Sequence, residues 1–518
     1  MKLASTGRGR AAWVAACALA LLLAGCGHSQ QSTTTSAAAA SSSHSAVQPA
    51  TTKAPAAAAS VAANATPGMQ PTPVSFPSQF GNLKFPATFP SGTTLTITQW
   101  HHFVPRYDKW FDQYAADWGK QNHVKVVVQH INLGDLVTTL SAAIAARKGA
   151  DLFEMISPPA AFIQGLQNLD ALNKAAEQAF GPAEKVCTSQ TYLPIKNEWY
   201  GYCHGWVPDP GDYRVSLWQK AGYPTGPHSY ADLLAGGTKI FKSTGVPVGV
   251  GLSPELDSEF YARSLIWSFG GRVFDKCGGV ALDSPDVIKA VEYQAKLFKA
   301  AETPEVFAWN PASNNQAFIS GQASYIQNSI SFYRTAQAQK NATAADTGFT
   351  PGLKGPGGQV HQTAHVWLIY VMPKYVTDAT TKQAAEKFML DLTANASWGT
   401  YESELYDFPA FPKQVPQLFE KGGWLDHDPF GSQPADKLNV LRSASQWTAW
   451  LGYPGASNPA VSEVYNTHLL STMMSEVARG KKTAQQAVQQ TSQQIGRIVA
   501  KWKKLGFVGC PASGGSSG

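Results

Sequence analysis

Side chains suited to holding a hydroxyl-rich molecule follow two strand-like stretches of this sequence. Trp100, His101 and His102 come directly after one stretch, and Glu154 lies near the end of another. Tryptophan offers a flat apolar face for stacking, and a carboxylate accepts hydrogen bonds from two hydroxyls. Because ligands of open α/β sheets bind at the carboxyl ends of the strands, these residues are candidate ligand contacts. For Trp100, burial in a domain core is an equally open interpretation.

A second candidate group combines one tryptophan with several amides. It contains Trp309, Asn310, Asn314, Asn315 and Asn328. An amide both donates and accepts, which suits paired hydrogen bonds to neighbouring hydroxyls. The alternative for each asparagine is ordinary capping and turn chemistry.

Motifs of metal-dependent or nucleotide-dependent catalysis are missing from the sequence. It contains no H-E-x-x-H, no G-x-x-x-x-G-K-[ST] and no G-x-G-x-x-G. A glycan-cleaving enzyme needs two carboxylates about 5–10 Å apart, and nothing marks such a pair. His101 with His102, and His361 with His365, are the pairs that could bind zinc. We predict no catalytic residue, no cofactor and no metal.

An alternation of strands and helices must position these residues. Residues 95–99 alternate apolar and polar side chains, and residues 124–128 and 150–156 are rich in β-branched or apolar residues. Aromatic residues at helical spacing follow Pro105, and residues 135–147 place apolar side chains on one helical face. The β-α-β-α-β order predicts a parallel sheet with helices on both faces.

The first 26 residues predict export and lipid attachment. Basic residues precede an apolar run over residues 11–24, which is shorter than the roughly 20 residues of a membrane-spanning helix. Residues 23–26, Leu-Ala-Gly-Cys, match the lipobox of bacterial lipoproteins. The match implies a signal peptide over residues 1–25, a lipid on Cys26 and a place on the outer face of the cell membrane. An ordinary signal peptide with a chance cysteine is the alternative.

Composition excludes one class of partner and predicts two flexible segments. The formal net charge of +6 falls to about +3 once the three basic residues of the signal are removed, and no Lys/Arg run suggests nucleic-acid binding. Ser, Thr, Ala, Gln and Pro dominate residues 26–92, which we predict to be a disordered linker. Residues 511–518 are a predicted flexible tail.

Four cysteines remain after Cys26: Cys187, Cys203, Cys277 and Cys510. An even set in an exported chain suggests two disulfides, with three possible connectivities. We favour Cys187–Cys203, which closes a short loop, and Cys277–Cys510, which tethers the C-terminal end. No pair has the C-x-x-C spacing of a zinc site.

Short segments over much of the chain resemble segments of one protein family. They are GADL at 149–152, DYR at 212–214 with WQKAG at 218–222, SYADL at 229–233, GG at 270–271 with LDSP at 282–285, FISGQA at 318–323 and LKGPGG at 353–358. In this order and spacing they resemble the extracellular solute-binding protein family 1 of ABC transporters, which mostly carries sugars. Ala150 and Leu353 stand where the family has proline.

The resemblance implies two α/β lobes joined by a hinge, with a ligand cleft between them that closes on the ligand. Lobe I would comprise residues 93–207 and 365–412. Lobe II would comprise residues 208–364 and 413–510. The chain would cross between the lobes near residues 208–213, 361–367 and 409–412.

The resemblance also adds candidate contacts close to these crossings and to the cleft loops. They are Trp206, Tyr213, Trp267, Gly270, Gly271, Trp367 and Trp450. Glycines allow a close approach of the backbone to a ligand. Trp267 could equally pack beneath the loop that follows it.

The function implied is the solute-binding component of an ABC importer. A monomer would capture a mono- or oligosaccharide by lobe closure and deliver it to a membrane permease. A polyol phosphate, favoured by loop arginines at 106, 214, 272 and 334, and a polyamine, favoured by Glu154, Asp257 and Glu259, are alternative cargoes. A glycan-active hydrolase is the alternative from another class. Zinc-binding transport proteins have a different architecture, which argues against the histidine pairs as zinc ligands.

Overall fold

The structure, a computed structural model, describes residues 70–511. The predicted signal peptide over residues 1–25, the lipid attachment at Cys26, residues 26–69 of the predicted linker and residues 512–518 of the tail lie outside the described residues. Across residues 70–511, none of the helices has the length and apolar character needed to cross a membrane.

The strands of the described part are short and belong to five sheets. They are β1 (Gln79–Phe80), β2 (Leu83–Lys84), β3 (Thr94–Trp100), β4 (Lys125–Ile131), β5 (Leu152–Met155), β6 (Tyr192–Leu193), β7 (Glu198–Trp199), β8 (Tyr202–Val207), β9 (Gly211–Arg214), β10 (Tyr325–Gln327), β11 (Thr347–Thr350), β12 (Gln362–Thr363), β13 (Val366–Val371), β14 (Phe408–Pro409) and β15 (Thr448–Ala449).

The α-helices of the same part surround these sheets. They are α1 (Pro105–Asn122), α2 (Leu136–Ala146), α3 (Asp170–Phe180), α4 (Lys185–Thr191), α5 (Val215–Lys220), α6 (Tyr230–Thr244), α7 (Leu256–Ser268), α8 (Pro285–Ala301), α9 (Ser313–Ile319), α10 (Ser331–Ala338), α11 (Ala379–Ala394), α12 (Ala396–Glu402), α13 (Pro416–Phe419), α14 (Ala444–Trp447), α15 (Pro459–Asn466), α16 (Leu469–Ala478) and α17 (Ala484–Lys504).

The larger sheet has six strands in the order β14-β8-β13-β5-β3-β4. Strand β3 is parallel to β4 and β5, which confirms the parallel β-α-β-α-β unit predicted from residues 95–156. Strand β13 returns antiparallel between β5 and β8. All six strands lie within residues 94–207 and 366–409.

Helices cover both faces of this sheet because adjacent residues of a strand point to opposite faces. Cys203 of β8 is bonded to Cys187 of α4. Its neighbour Tyr202 reaches Thr393 of α11 with its hydroxyl, at 2.7 Å. Helices α4 and α11 therefore lie on opposite sides of β8.

The smaller sheet has three antiparallel strands in the order β10-β9-β11. They lie within residues 211–350, and β12 pairs with β15 in a separate two-stranded sheet. The chain passes from the larger to the smaller sheet between β8 and β9. It returns at β13, and it leaves the larger sheet again after β14. Both sheets carry buried apolar side chains, so each belongs to a packed core.

The linker prediction fails for residues 70–92. Phe80, Phe85 and Phe89 are buried, and the Phe80 ring lies 5.7 Å from the ring of Phe180. The Thr72 amide donates to Ser397 Oγ at 3.0 Å. The prediction was made from the average composition of the whole segment. The phenylalanines lie near its end, and they supply the apolar surface that the rest of the linker lacks.

Both predicted disulfides are confirmed, as Cys187–Cys203 and Cys277–Cys510. The first ties α4 to the larger sheet. The second links residues 233 positions apart and fixes the end of the described chain to the loop after α7.

Candidate functional site

Two histidine–carboxylate pairs lie buried on the larger sheet. His204 Nε2 is 2.8 Å from Glu154 Oε1, and His102 Nε2 is 3.1 Å from Asp407 Oδ1. The Val104 amide donates to His102 Nδ1 at 2.9 Å. In the neutral form of His102 the ring proton is therefore on Nε2, and this N–H donates a hydrogen bond to Asp407.

A third pair lies at the crossings between the two sheets. His365 Nδ1 is 3.1 Å from Asp209 Oδ1 and 3.9 Å from Asp257 Oδ1. Gln327 of β10 donates to the other oxygen of Asp209 at 2.5 Å. Burial lowers the pKa of His365, but the hydrogen bond that its ring donates to Asp209 and the charges of Asp257 and Asp209 outweigh burial, so the pKa is raised.

Tyr406 lies between the His102 and His365 pairs, and His204 shares a cavity with Asp407. The ring centroid of Tyr406 is 4.9 Å from that of His102 and 6.4 Å from that of His365. We call this set the buried polar layer, and all of its members have little or no solvent exposure. The layer consists of His102, Glu154, His204, Asp209, Asp257, His365, Tyr406 and Asp407.

Two small cavities flank the buried polar layer. The first, of about 20 Å³, is lined by Tyr107, His204 and Asp407 among others. The second, of about 10 Å³, is lined by groups that include Trp309 and Asn314. These volumes are on the scale of a single water molecule, so neither admits a sugar ring. Access for any larger ligand requires the two sheets to move apart.

Carboxyl groups on the smaller-sheet side have raised pKa values. Burial and then the charge of Glu255 raise the pKa of Asp257 well above its usual range. Burial and then the charge of Asp209 do the same to Asp212 of β9. Neither oxygen of Asp212 has a hydrogen-bond partner within residues 70–511. Protonated carboxyls both donate and accept, as hydroxyl-rich ligands require.

Several residues predicted from the sequence lie at or beside the layer. His102 and Glu154 belong to it, and the Trp100 ring is 4.8 Å from the His102 ring. Trp309 and Asn310 line the second cavity.

Two further predicted residues are buried near the layer but are engaged in the protein. The Trp206 ring packs on Phe408, with ring centroids 5.6 Å apart. Asn328 is buried and donates to Asn315.

Other predicted residues serve packing. The ring of Tyr213 lies against Gly226 and Gly348, where an added Cβ would clash with it. Trp367 donates through Nε1 to the carbonyl of Val186 at 2.9 Å. Both rings are thereby directed into the fold.

The group around Gly270 and Gly271 ends helix α7. Their amides donate to the carbonyls of Trp267 and Ile266 at 2.9 Å, and Gly270 has a φ of +89°. Trp267 packs on Tyr453, with ring centroids 5.8 Å apart, beneath this turn. The two glycines therefore terminate a helix, as helix C-termini commonly require.

The remaining predicted residues, Trp450 and His101, line neither cavity. Trp450 donates to the carbonyl of Gly455 at 2.6 Å. His101 is exposed and faces Asp108, whereas its neighbour His102 is buried. The two histidines consequently do not share a metal ion.

Sequence reasoning missed His204, Asp209, Tyr406 and Asp407 as candidate contacts. The available signal was a polar residue within an apolar buried run. His204 interrupts Tyr-Cys-His-Gly-Trp-Val of β8, and Asp209 stands between two prolines at a crossing. Burial of such groups is unfavourable unless they are paired, so they mark a polar site inside the fold.

Two α/β lobes built on separate sheets, with chain crossings around a buried polar layer, define the class of periplasmic-binding-protein-like folds. The profile described as bacterial extracellular solute-binding protein matches residues 113–417, more than half of the chain. The chain belongs to this family, as the sequence segments indicated. Membership places the protein outside the cytoplasm.

Solved structures with the same fold confirm the two-lobe prediction. The ABC transporter solute-binding protein of Agrobacterium radiobacter K84, in complex with ribitol, is 17% identical with a TM-score of 0.63, covering 79% of this chain and 99% of that chain. Maltose-bound MalE3 of T. maritima is 18% identical with a TM-score of 0.63, covering 79% of this chain and 100% of that chain. A sugar transporter of Arthrobacter chlorophenolicus A6 with bound laminaribiose is 16% identical with a TM-score of 0.63, covering 78% of this chain and 99% of that chain.

Curated relatives come from Brucella abortus and Brucella suis. They are 32% identical over 89 residues, which is 17% of this chain and 21% of each relative. The match thus spans about a fifth of the length of these relatives.

Proposed function

We propose that this protein captures a neutral carbohydrate between its two lobes and delivers it to the permease of an ABC importer. The observation that carries the proposal is the buried polar layer, which lies where the chain crosses between the sheets. Lipid on Cys26 would hold a monomer at the outer face of the cell membrane, with residues 27–69 as the tether.

Lobe I in this proposal contains the larger sheet, over residues 93–207 and 365–412. Lobe II contains the smaller sheet, over residues 208–364 and 413–510. The six strands of the larger sheet and the three of the smaller sheet fall on opposite sides of this division. Rotation at the three crossings would open the layer to a ligand.

The charge of the site supports a neutral cargo over a phosphate. None of the residues that line the two cavities is lysine or arginine. Three of the four arginines that a phosphate could use are already paired with carboxylates. These pairs are Arg106–Glu402, Arg214–Asp346 and Arg334–Asp428.

A polyamine is the second candidate cargo, because Glu255 and Asp257 line the second cavity. Burial raises the pKa of both carboxyls, that of Asp257 well above its usual range, and thereby favours their uncharged forms. Neutral carboxyls suit hydroxyls better than ammonium groups. The solved structures of similar fold include complexes with ribitol, maltose and laminaribiose, which supports the choice of a polyol or sugar.

Thermal unfolding of the full chain in mild detergent tests the proposal. The panel is maltose, laminaribiose, ribitol, spermidine and glycerol 3-phosphate. A cargo that binds only the folded state stabilises it by about 2.7 kcal/mol at one hundred times its dissociation constant. We expect the unfolding midpoint to rise with a sugar or polyol, and chromatography to recover that ligand unchanged.

Other outcomes separate the alternatives. A rise with spermidine alone would replace the carbohydrate with a polyamine cargo. Conversion of the sugar would identify a hydrolase. A panel of longer oligosaccharides without any rise would contradict carbohydrate binding altogether.

A further inference from the structure

A cluster of metal-ligating side chains lies outside the buried polar layer. His101 follows β3, His130 lies on the neighbouring strand β4, and Asp108 is in the first turn of α1. One ligand atom from each lies within 4.8 Å of the other two. The side chain of His101 is 62% exposed, so solvent reaches the cluster from one side.

The distances within the cluster fit one small cation. His101 Nδ1 is 3.5 Å from Asp108 Oδ2, and His130 Nδ1 is 3.5 Å from Asp108 Oδ1. Tetrahedral zinc with bonds of about 2.0–2.1 Å separates its ligand atoms by roughly 3.4 Å. Each histidine nitrogen is therefore close to this spacing from one oxygen of Asp108, and the three ligand atoms lie within 4.8 Å of one another, so small side-chain rotations bring them around a common centre.

Neighbouring groups hold two of the ligands in place. Asp112 Oδ1 lies 2.8 Å from His130 Nε2, the ring nitrogen that faces away from the cluster. A carboxylate on the remote nitrogen orients a metal-binding histidine and makes it more basic. The backbone amide of His102 donates to both oxygens of Asp108 at 3.2 Å, which fixes that carboxylate.

We propose that His101, Asp108 and His130 form a binding site for one divalent transition-metal ion of the zinc class. Two imidazoles and one carboxylate leave a fourth position open to solvent, as in zinc sites that keep a water ligand. Calcium and magnesium are poor occupants, because they prefer oxygen ligands. The site is independent of the cargo, since none of its three ligands lines either cavity.

Titration of the full chain with Zn²⁺ alone, followed by calorimetry, tests the site. Co²⁺ serves as the spectroscopic probe, because its visible absorption reports tetrahedral coordination. We expect one equivalent per chain in the wild type and a loss of at least about 100-fold in affinity in His101→Gln and His130→Gln. Asp112→Asn removes only the orienting carboxylate and is expected to weaken binding about 10- to 100-fold.

His228→Gln is the matched control, because His228 is an exposed histidine bonded to Thr225, away from the cluster. It should bind Zn²⁺ as the wild type does. Exposure of His101 means that His101→Gln folds normally even if His130→Gln does not, and circular dichroism checks both. Equal Zn²⁺ affinity in the wild type and His101→Gln would overturn the proposal, as would a Co²⁺ spectrum without tetrahedral bands.

Discussion

The carboxylates on the two sides of the buried polar layer differ in their hydrogen-bond partners. On the larger sheet, each carboxylate faces its own histidine, Glu154 with His204 and Asp407 with His102. Both pairs are formed by groups of that one sheet and its loops. Each pair forms its histidine–carboxylate hydrogen bond without any ligand, and Asp407 Oδ2 is left without a partner among residues 70–511.

On the smaller-sheet side, two aspartates share one histidine and a third aspartate has no hydrogen-bond partner among the described residues. His365 lies within 3.9 Å of Asp209 and Asp257, and Asp212 has no partner within the described residues. Burial raises the pKa values of Asp212 and Asp257. Among these aspartates, all within residues 70–511, both oxygens of Asp212 and Oδ1 of Asp257 lack a hydrogen-bond partner on this side, compared with Oδ2 of Asp407 on the larger sheet. We infer that a ligand takes most of its polar contacts on the smaller-sheet side.

The same isosteric substitution on the two sides gives the largest expected contrast. Asp407→Leu removes the acceptor of His102 and leaves a buried N–H unpaired, which should lower the free energy of unfolding by about 2–3 kcal/mol. Asp212→Leu removes a carboxyl that has no partner, and should change stability by less than about 0.5 kcal/mol or increase it. Urea unfolding of both variants measures the difference. Equal losses would remove the distinction between the two sides.

Cargo affinity should be lowered by a substitution at the second cavity and unaffected by one outside both cavities. Trp309→Ala removes the aromatic face beside Asn310 and Asn314, and should weaken cargo binding about tenfold, or about 1.4 kcal/mol. Trp450→Ala is the matched control, because Trp450 bonds to Gly455 and lines neither cavity. Calorimetry with the cargo found in the thermal panel measures both. A larger loss in Trp450→Ala would place the ligand elsewhere.

Strands β3, β4 and β5 of the larger sheet were predicted from the sequence, because they alternate with amphipathic helices and bury apolar side chains such as Leu95 and Ile97. Strands β8, β13 and β14 were not predicted, since they come from later segments without that alternation. The disulfides followed from their number and spacing. The buried polar layer did not, since its residues come from distant segments. Asp209 and His365, for example, meet only when two crossings lie side by side.

The tryptophans show most clearly how far ligand contacts can be predicted from the sequence. Trp206, Trp267 and Trp367 were predicted as cleft residues from their place near loops and crossings, yet each has a ring packed on neighbouring groups. A large apolar ring stabilises a core as effectively as it stacks on a ligand. Position along the chain does not distinguish these uses, whereas the surrounding contacts do.

The smallest expected effect is the pH dependence of stability that comes from His365, the histidine shared by Asp209 and Asp257. His365 faces Asp209, Asp257, Glu255 and Tyr406, and burial opposes these carboxylates in setting its pKa, which is raised above 6.5. A raised folded-state pKa stabilises the fold below the unfolded value of 6.5, and this contribution is lost as pH rises through the folded pKa. His365→Gln keeps a donor for Asp209 but cannot be protonated. We therefore expect the stability advantage of the wild type over His365→Gln, measured by urea unfolding, to be larger at pH 5.5 than at pH 8.5.

Repeating the measurement in an Asp209→Asn background identifies the cause. Asp209 raises the pKa of His365 both by its hydrogen bond and by its charge, so its removal should shrink the pH dependence of the difference. An unchanged dependence would assign the effect to Asp257 and Glu255. A wild-type advantage that grows with pH would mean that burial dominates and lowers the pKa of His365. Asp257 would then lack a cationic partner in His365, which would strengthen the case that this carboxyl, whose pKa is raised by burial and by the charge of Glu255, meets the ligand in its neutral form.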